Sequence, residues 1–453
     1  MKTGYWLRSG FYTISEKAAA LVFGFGGLLL LLRSISQADF GVWALFLAIV
    51  SILEVGRIGL LQNALVKYMS TIEEEEEIRR VATASLVLNG ILTSIIVLAL
   101  LGLAELMGAW MEVPALAELL KIYCMTTVAL IPFFQFNYIQ QANLDFKGIF
   151  WSNAVKGGIL FGFILWLFLQ DELIQLSHLA VCQIIAAAAA SLVSWYFARP
   201  YLKFSSKVDR GWIIKLLRFG IFVFGTNFCA QLFKNTDKFL LKILPAGGLV
   251  AIAIYEAAIR VTNLIDIPTA SMANILFPQS ARRLADGKEA VRQLYEKAVG
   301  AIMAFMVPAI IGVMVLADWI VLIVGGSEYA ESANVLRITI LFGLFMPYVV
   351  QFGTVIDSIG RPQVNFLFTL LSLLFTAVSN LIFISLLGVY GAAIGTLSAY
   401  ALTFVIMQIY LHQHLKVNPL RPFGYMIDFY KQIISIGKKA LQNGSLTAAL
   451  NEE

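Results

Sequence analysis

Residues 81–104 read VATASLVLNGILTSIIVLALLGLA, twenty-four positions without a charged side chain, bounded by Arg79 and Arg80 on one side and Glu105 on the other. At about 1.5 Å per residue such a helix reaches about 36 Å, more than the roughly 30 Å of bilayer hydrocarbon. A barrel strand would need only about ten residues and would alternate apolar with polar. The stretch does neither, so it reads as a membrane-crossing helix. The same yardstick, moved outward, gives about twelve spans. The first six lie near 11–32, 40–62, 81–104, 116–137, 149–169 and 175–197. The second six lie near 216–243, 250–277, 298–317, 332–356, 364–387 and 390–411. The fold class is therefore an all-α membrane protein.

Composition agrees. Hydrophobic residues make up 59% of the chain and charged residues 13%, against roughly 25% charged in a soluble domain. A soluble enzyme or a nucleic-acid-binding protein is excluded on that ground. The first apolar run has no small-residue cleavage site, so it is expected to stay in the membrane. Cys124, Cys182 and Cys229 each fall in an apolar stretch without metal-ligand spacing, which predicts neither a disulfide nor a metal.

Lys and Arg set the orientation. The side of the N-terminus carries Lys2, Arg8 and Lys17, then Lys67, Arg79, Arg80 and Lys147. It goes on to Arg199, Lys203, Lys207, Arg210, Lys215 and Arg218, and to Arg282, Arg283, Lys288, Arg292 and Lys297. Arg361 and the tail residues Lys416, Arg421, Lys431, Lys438 and Lys439 complete it. The other side has Arg33, Lys121, Lys242 and Arg337, with Glu105, Glu112, Asp171, Glu172, Asp318 and Glu328. Both termini are therefore expected in the cytoplasm.

The loops also repeat. Charged cytoplasmic stretches follow spans two and eight, and short polar links follow spans four (145–148) and ten (358–362), each pair about 210 residues apart. Six helices per repeat is an even number, so the halves enter the membrane in one sense, which predicts a pseudo-two-fold axis along the membrane normal. The expected division is an N-terminal lobe at 1–197, a linker at 198–215 with Pro200 and Gly211, a C-terminal lobe at 216–411 and a cytoplasmic tail at 412–453. In the tail, Phe423, Met426, Ile427, Tyr430, Ile433 and Ile434 recur at helical spacing among lysines, as in a helix lying on the membrane surface. Residues 443–453 are expected to be disordered.

Charges inside the spans carry the functional reading, because each costs about 2.5–3.5 kcal/mol at mid-membrane and so faces protein or water. Span seven holds Asn227, Gln231, Lys234 and Lys238 at intervals that share one helix face. Span eight holds Glu256, Arg260, Asn263 and Asn274 likewise, with Pro268 placed to bend it. Arg57, Lys156, Lys234, Lys238 and Arg260 oppose Glu54, Asp237, Glu256 and Asp266. Glu54–Arg57 and Glu256–Arg260 could pair within their own helices, and Lys156 could snorkel. The surplus on span seven, where Asp237 points off the stripe, suits an anionic substrate such as a pyrophosphate. The Glu73–Glu77 run reads as a solvated loop. His178, His412 and His414 sit at span ends or in the tail. Gly24, Gly26 and Gly27 read as helix-packing positions. No phosphate-binding glycine loop is present.

The stretch Leu32-Arg33-Ser34-Ile35-Ser36-Gln37-Ala38-Asp39-Phe40-Gly41-Val42-Trp43-Ala44-Leu45 resembles the first-to-second helix signature of bacterial polysaccharide flippases. Asn235-Thr236-Asp237-Lys238-Phe239-Leu240-Leu241 resembles the end of their seventh helix, and Tyr255-Glu256-Ala257-Ala258-Ile259-Arg260 the start of their eighth. Phe277-Pro278, Val307-Pro308-Ala309 and Gly325-Gly326-Ser327-Glu328-Tyr329 fit in order and spacing. The resemblance implies the polysaccharide-export branch of the multidrug/oligosaccharidyl-lipid/polysaccharide exporter superfamily. That in turn implies flipping of an undecaprenyl-diphosphate-linked oligosaccharide for O-antigen, capsule or exopolysaccharide synthesis. On this reading Arg33, Arg57, Lys234 and Arg260 supply a cationic cavity, and Asn227, Gln231 and Asn263 supply polar substrate contacts. Asp39, Glu54, Asp237, Glu256 and Asp266 are the coupling or gating candidates. The expected partners are the lipid-linked oligosaccharide, membrane lipids and other polysaccharide-assembly membrane proteins. No nucleic acid, cofactor or metal is expected. The chain departs from the lipid II flippase branch, which has two further helices after the twelfth.

Two other functions remain open at this level. A cation-coupled multidrug exporter of the same fold would place acids in its cavity, yet span one has only Glu16 at its entrance. An integral-membrane polysaccharide polymerase or glycosyltransferase would need a sizeable external catalytic loop, and none is visible.

Overall fold

The computed structural model describes the backbone at residues 3–170 and 174–443, and most side chains from 12 to 435. Lys2, Asp171, Glu172, the segment 444–453 and the side chains of Arg8, Asn274, Pro278, Ile433, Lys438 and Lys439 lie outside the described residues.

Among the described residues the chain is helical, without strands. The first reversal shows why the helices begin where they do. Helix α1 (Thr3–Ser34) gives way to α2 (Gln37–Arg57) at Ser36. The Ser36 hydroxyl accepts the Asp39 N–H at 3.1 Å and donates to Asp39 Oδ2 at 2.7 Å. This satisfies an orphan amide of the first turn. Helix α2 runs through one π-helical turn, Ile58–Gln62, into α3 (Asn63–Thr71). Then follow α4 (Glu75–Trp110), α5 (Pro114–Ala142), α6 (Phe146–Leu169) and α7 (Leu176–Ala198). Helix α8 (Arg210–Ile243) bends by 44° between Ile221 and Val223. Helices α9 (Leu249–Thr262) and α10 (Asp266–Arg283) are separated by a single 3-10 turn, Asn263–Ile265. The rest are α11 (Lys288–Gly325), α12 (Ser332–Thr339), α13 (Met346–Ser358), α14 (Pro362–Leu387), α15 (Val389–Leu415) and α16 (Arg421–Asn443).

Among the described residues ten helical stretches are long and apolar enough to cross a membrane, and the bent α8 makes an eleventh. The remaining expected span, near 250–277, is the interrupted pair α9–α10, whose pieces of 14 and 18 residues are each short. Helices overrun the apolar runs at both ends because hydropathy sees only the stretch in hydrocarbon. The acidic run illustrates this. Glu75, Glu76 and Glu77 form the first turn of α4 rather than a loop, where carboxylates favour the positive end of the helix dipole. Glu75 pairs with Arg79 at 2.8 Å and with Lys203 at 3.2 Å, and Glu77 accepts the Trp212 indole N–H at 2.7 Å.

By compactness the chain divides into one unit of Met1–Glu256 with Val324–Gly326 and a second of Ala257–Ile323 with Ser327–Glu453. In the first, α5 packs on α4 and α7, and α6 on α1 and α7. Its core includes Leu61, Leu65, Leu88, Ile139 and Leu216. Helix α8 crosses the π-helical turn after α2 closely at two glycines. A Cβ on Gly59 would come to 2.7 Å from Phe224 Cα, and one on Gly220 to 2.7 Å from Leu60 Cα. In the second unit, Tyr295, Val299, Phe352, Phe368 and Met407 make the core. Helix α15 packs on α14 through Gly391 and Gly395, a small-xxx-small pair whose positions abut Phe383 and Asn380. Outward, Leu98, Val315 and Leu386 are at least 70% exposed, which only a lipid environment makes inexpensive. The three cysteines are free and buried.

Candidate functional site

In the first unit, one polar cluster lies deep between α2, α4 and α5. Arg57, in the last turn of α2, is fully buried and sits 3.2 Å from Glu54, one turn back. Its NH2 donates to Thr93 Oγ1 at 2.7 Å and to Thr127 Oγ1 at 2.8 Å, and the guanidinium lies 5.0 Å from the centre of the Phe134 ring. Glu54 Oε1 accepts from Tyr123 at 2.9 Å and from Thr127 at 2.8 Å. Arg57 Nε has no acceptor among the described residues. This differs from the expectation of an Arg57 open to substrate. The low local dielectric makes a lone guanidinium costly, so it is held against the acid nearest in sequence. Lys156 does not snorkel: its Nζ lies 4.7 Å over the Phe133 ring.

A second cluster joins α8 to α9. Lys238 Nζ lies 2.8 Å from Glu256 Oε2 and 3.2 Å from Asn235 Oδ1. Asp237 Oδ1 accepts the Lys238 N–H at 2.9 Å, with Tyr255 beside it. Asn235, Asp237, Lys238, Tyr255 and Glu256 are all buried. Glu256, which could pair with Arg260 on its own helix, has an interhelical lysine as a salt-bridge partner. The polar stripe on α8 divides accordingly. Gln231 Nε2 donates to Ser51 Oγ at 2.7 Å, Asn227 is half-buried, Lys234 is exposed and Lys238 is internal. Arg33, in the last turn of α1, and Asp39, in the cap of α2, are exposed.

In the second unit the eighth span is broken among its polar residues. Pro268 lacks an N–H for the carbonyl of Leu264 and its ring crowds that carbonyl. The chain tightens into the 3-10 turn just before it, and Asp266 N–H bonds back to Asn263 O and Leu264 O. Arg260, half-buried, stands in the last turn before the break. Asn263 is exposed in the break, and Asp266 is half-buried after it. Guanidinium at a helix C-terminus and carboxylate at an N-terminus are both favoured by the helix dipoles. Backbone freed inside a membrane helix is tolerated where it borders protein or water, which is where transport proteins bind polar groups.

Two carboxylates that hydropathy set outside the spans are built into the second unit. Glu296 is fully buried in α11; it accepts the Asn418 N–H at 2.9 Å and holds Arg421 at 3.8 Å. Asp357 lies in the last turn of α13 and accepts from Asn365 of α14 at 2.8 Å. Both lie within a residue or two of a predicted span boundary, where apolar count and helix length disagree. No group of three metal-ligating side chains occurs among the described residues.

Residues 30–334 match the family described as polysaccharide biosynthesis protein. Over 404 residues the chain is 23% identical to the lipopolysaccharide biosynthesis protein WzxC of Escherichia coli (strain K12), covering 87% of this chain and 77% of that one. Over 165 residues it is 26% identical to the probable low-salt glycan biosynthesis flippase Agl15 of Haloferax volcanii. That match spans 36% of this chain and 35% of that protein. Among solved structures, the inward closed conformation of the lipid II flippase MurJ aligns with a TM-score of 0.75 at 14% identity, covering 95% of this chain and 92% of that one. An inward-facing MATE family transporter of the MOP superfamily aligns with a TM-score of 0.74 at 14% identity, covering 87% and 94%. The chain shares their two-lobed all-α fold.

Proposed function

The chain belongs to the polysaccharide biosynthesis protein family, and on that membership we propose that it flips an undecaprenyl-diphosphate-linked oligosaccharide across the bacterial inner membrane for surface-polysaccharide assembly. The names of WzxC and Agl15 support the reading. The observation that carries it is the interrupted eighth span with Arg260 at its break. A pyrophosphate there meets a planar guanidinium and the exposed amide of Asn263. The chain acts as a transporter and not as an enzyme: its work is to exchange hydration of the headgroup for these contacts while the lipid tail stays in hydrocarbon. The lobes are 1–197 and 216–411 with the linker 198–215, both termini are cytoplasmic, and access alternates between the two faces.

In the first unit Arg33 and Lys234, both exposed, are further candidate anion contacts, whereas Arg57 supports its own helices from inside. Arg260→Ala abolishes export and Arg260→Lys keeps part of it, because lysine retains charge but not the bidentate fork. The test is surface-glycan display in cells lacking the chromosomal gene, at matched protein levels. Undiminished glycan in Arg260→Ala cells removes Arg260 from the route. A cation-coupled drug exporter of this fold would instead confer drug resistance in the same cells with no change in glycan.

A further inference from the structure

The second unit carries an acceptor-lined groove of about 390 Å³ between α10, α13 and the start of α14. Its polar edge is Asp357, Asn365 and Thr354; Phe277 and Val350 form its apolar side. Asp357 Oδ2 is used, accepting the Asn365 amide at 2.8 Å. Asp357 Oδ1 is buried and has no hydrogen-bond partner among the described residues. A buried carboxylate oxygen left unpaired is costly, and in a native protein it calls for a ligand or water. Thr354 donates to Val350 O at 2.9 Å, leaving its hydroxyl lone pairs to accept. Gly353 makes room: a Cβ there would come to 2.9 Å from Asn365 Oδ1 and push the amide out of place. Phe277 is 48% exposed on the opposite wall.

These features narrow the ligand. No Lys or Arg lines the groove among the described residues, and Arg361 of the neighbouring turn is directed to Tyr410, its NH1 lying 3.4 Å from the hydroxyl. A phosphate would meet an unneutralised carboxylate and be repelled. A bare metal ion would need several oxygens closing to about 2.3–2.6 Å, which so open a groove does not offer. The volume is at the low end of small-molecule sites, roughly 300–1,000 Å³. A carboxylate oxygen next to an amide, facing an aromatic wall, matches adjacent hydroxyls on a ring whose other face is C–H.

We infer that this groove, through Asp357, Asn365 and Phe277, is a subsite for one hydroxylated sugar ring of the transported glycan. The half-buried Asp357 carboxylate accepts from the ring hydroxyls while Asn365 orients it. The inference rests on the flippase reading and divides its labour: the diphosphate goes to the basic residues, and the sugar next to it goes to Asp357.

The test uses the full chain in nanodiscs and two probes: synthetic undecaprenyl diphosphate, and the polyprenyl-diphosphate-linked glycan pool extracted from the source organism. Binding is read by native mass spectrometry. The wild type binds the glycosylated probe more tightly than the bare one. Asp357→Ala loses about ten- to a hundredfold on the glycosylated probe, as expected for charge-assisted hydrogen bonds, and nothing on the bare one. Phe277→Ala, away from the carboxylate, reproduces part of the loss. If Asp357→Ala keeps the full preference for the glycosylated probe, or the wild type has none, the subsite is overturned while the flippase reading stands. If the wild type binds neither probe, the flippase reading fails and the subsite with it. If Asp357→Ala instead abolishes a difference between NaCl and choline chloride, the groove holds a cation and the sugar assignment is wrong.

Discussion

The Glu54–Arg57 pair allows a sharp separation of structure from transport. Arg57 is fully buried, 3.2 Å from Glu54, with Thr93 and Thr127 as its other partners. Removing one member of a buried pair costs about 3–5 kcal/mol, because the survivor keeps its charge without a counter-charge. At about 1.4 kcal/mol per tenfold, that is roughly a hundred- to several-thousandfold in the folded ratio. The two single variants should differ. In Arg57→Met, Glu54 can take up a proton and still accept from Tyr123 and Thr127. In Glu54→Leu, the guanidinium cannot lose its proton, so this variant is the less stable. With roughly 2–4 °C per kcal/mol for units of 150–250 residues, the melting temperature falls by about 6–20 °C. The double variant Glu54→Leu/Arg57→Met removes both charges and recovers most of the loss. It does not recover all of it, since three hydroxyls lose partners at about 1 kcal/mol each. The assay is thermal inactivation of purified protein at one fixed scan rate, because such unfolding is irreversible, with surface glycan measured in parallel. A double variant no more stable than the singles would refute the pairing argument. A double variant with restored stability and no export would refute the assignment of Arg57 to the scaffold and return it to the substrate route.

Charge reversal of the second pair, Lys238→Glu with Glu256→Lys, should restore export that either single change removes; the readout is the same glycan display at matched expression. Gly220→Leu should fail to give monodisperse protein on size-exclusion chromatography, since even a Cβ there comes to 2.7 Å from Leu60 Cα, whereas Gly90→Leu, with open space around it, should behave as wild type. Ser36→Ala should cost about 1 kcal/mol through loss of the α2 cap, seen as a melting shift of a few degrees with export retained. Glu296→Gln should loosen the tail it holds through Asn418 and Arg421, so that trypsin cuts at Lys431 several times faster than in the wild type.

Helix number and most boundaries were legible because one quantity, the length of an apolar run against the thickness of hydrocarbon, decides them. The reading ran short where helices extend into water. Glu75–Glu77 looked like a loop because five adjacent carboxylates repel, yet three of them stabilise a helix start and find Arg79, Arg80 and Lys203. Asp357 was passed over for the same reason, one position past the expected end of span ten.

The pairing of charges was less legible, and the reason is geometric. Periodicity places residues on a face of one helix but does not say which helix that face meets. Glu54–Arg57 could be named from sequence because the partners are three apart on one helix. Lys238–Glu256 could not, since the pairing depends on the turn between Ile243 and Leu249 that lays α9 against α8. That turn is itself tight: a Cβ on Gly247 would collide with the backbone of Leu241, and Gly248 takes a φ of +139°. The turn after α8 therefore sets the buried pair between α8 and α9, and with it the packing of α9 on α8. A larger residue at Gly247 should for that reason impair export in the surface-glycan assay even though it touches neither the break nor the groove.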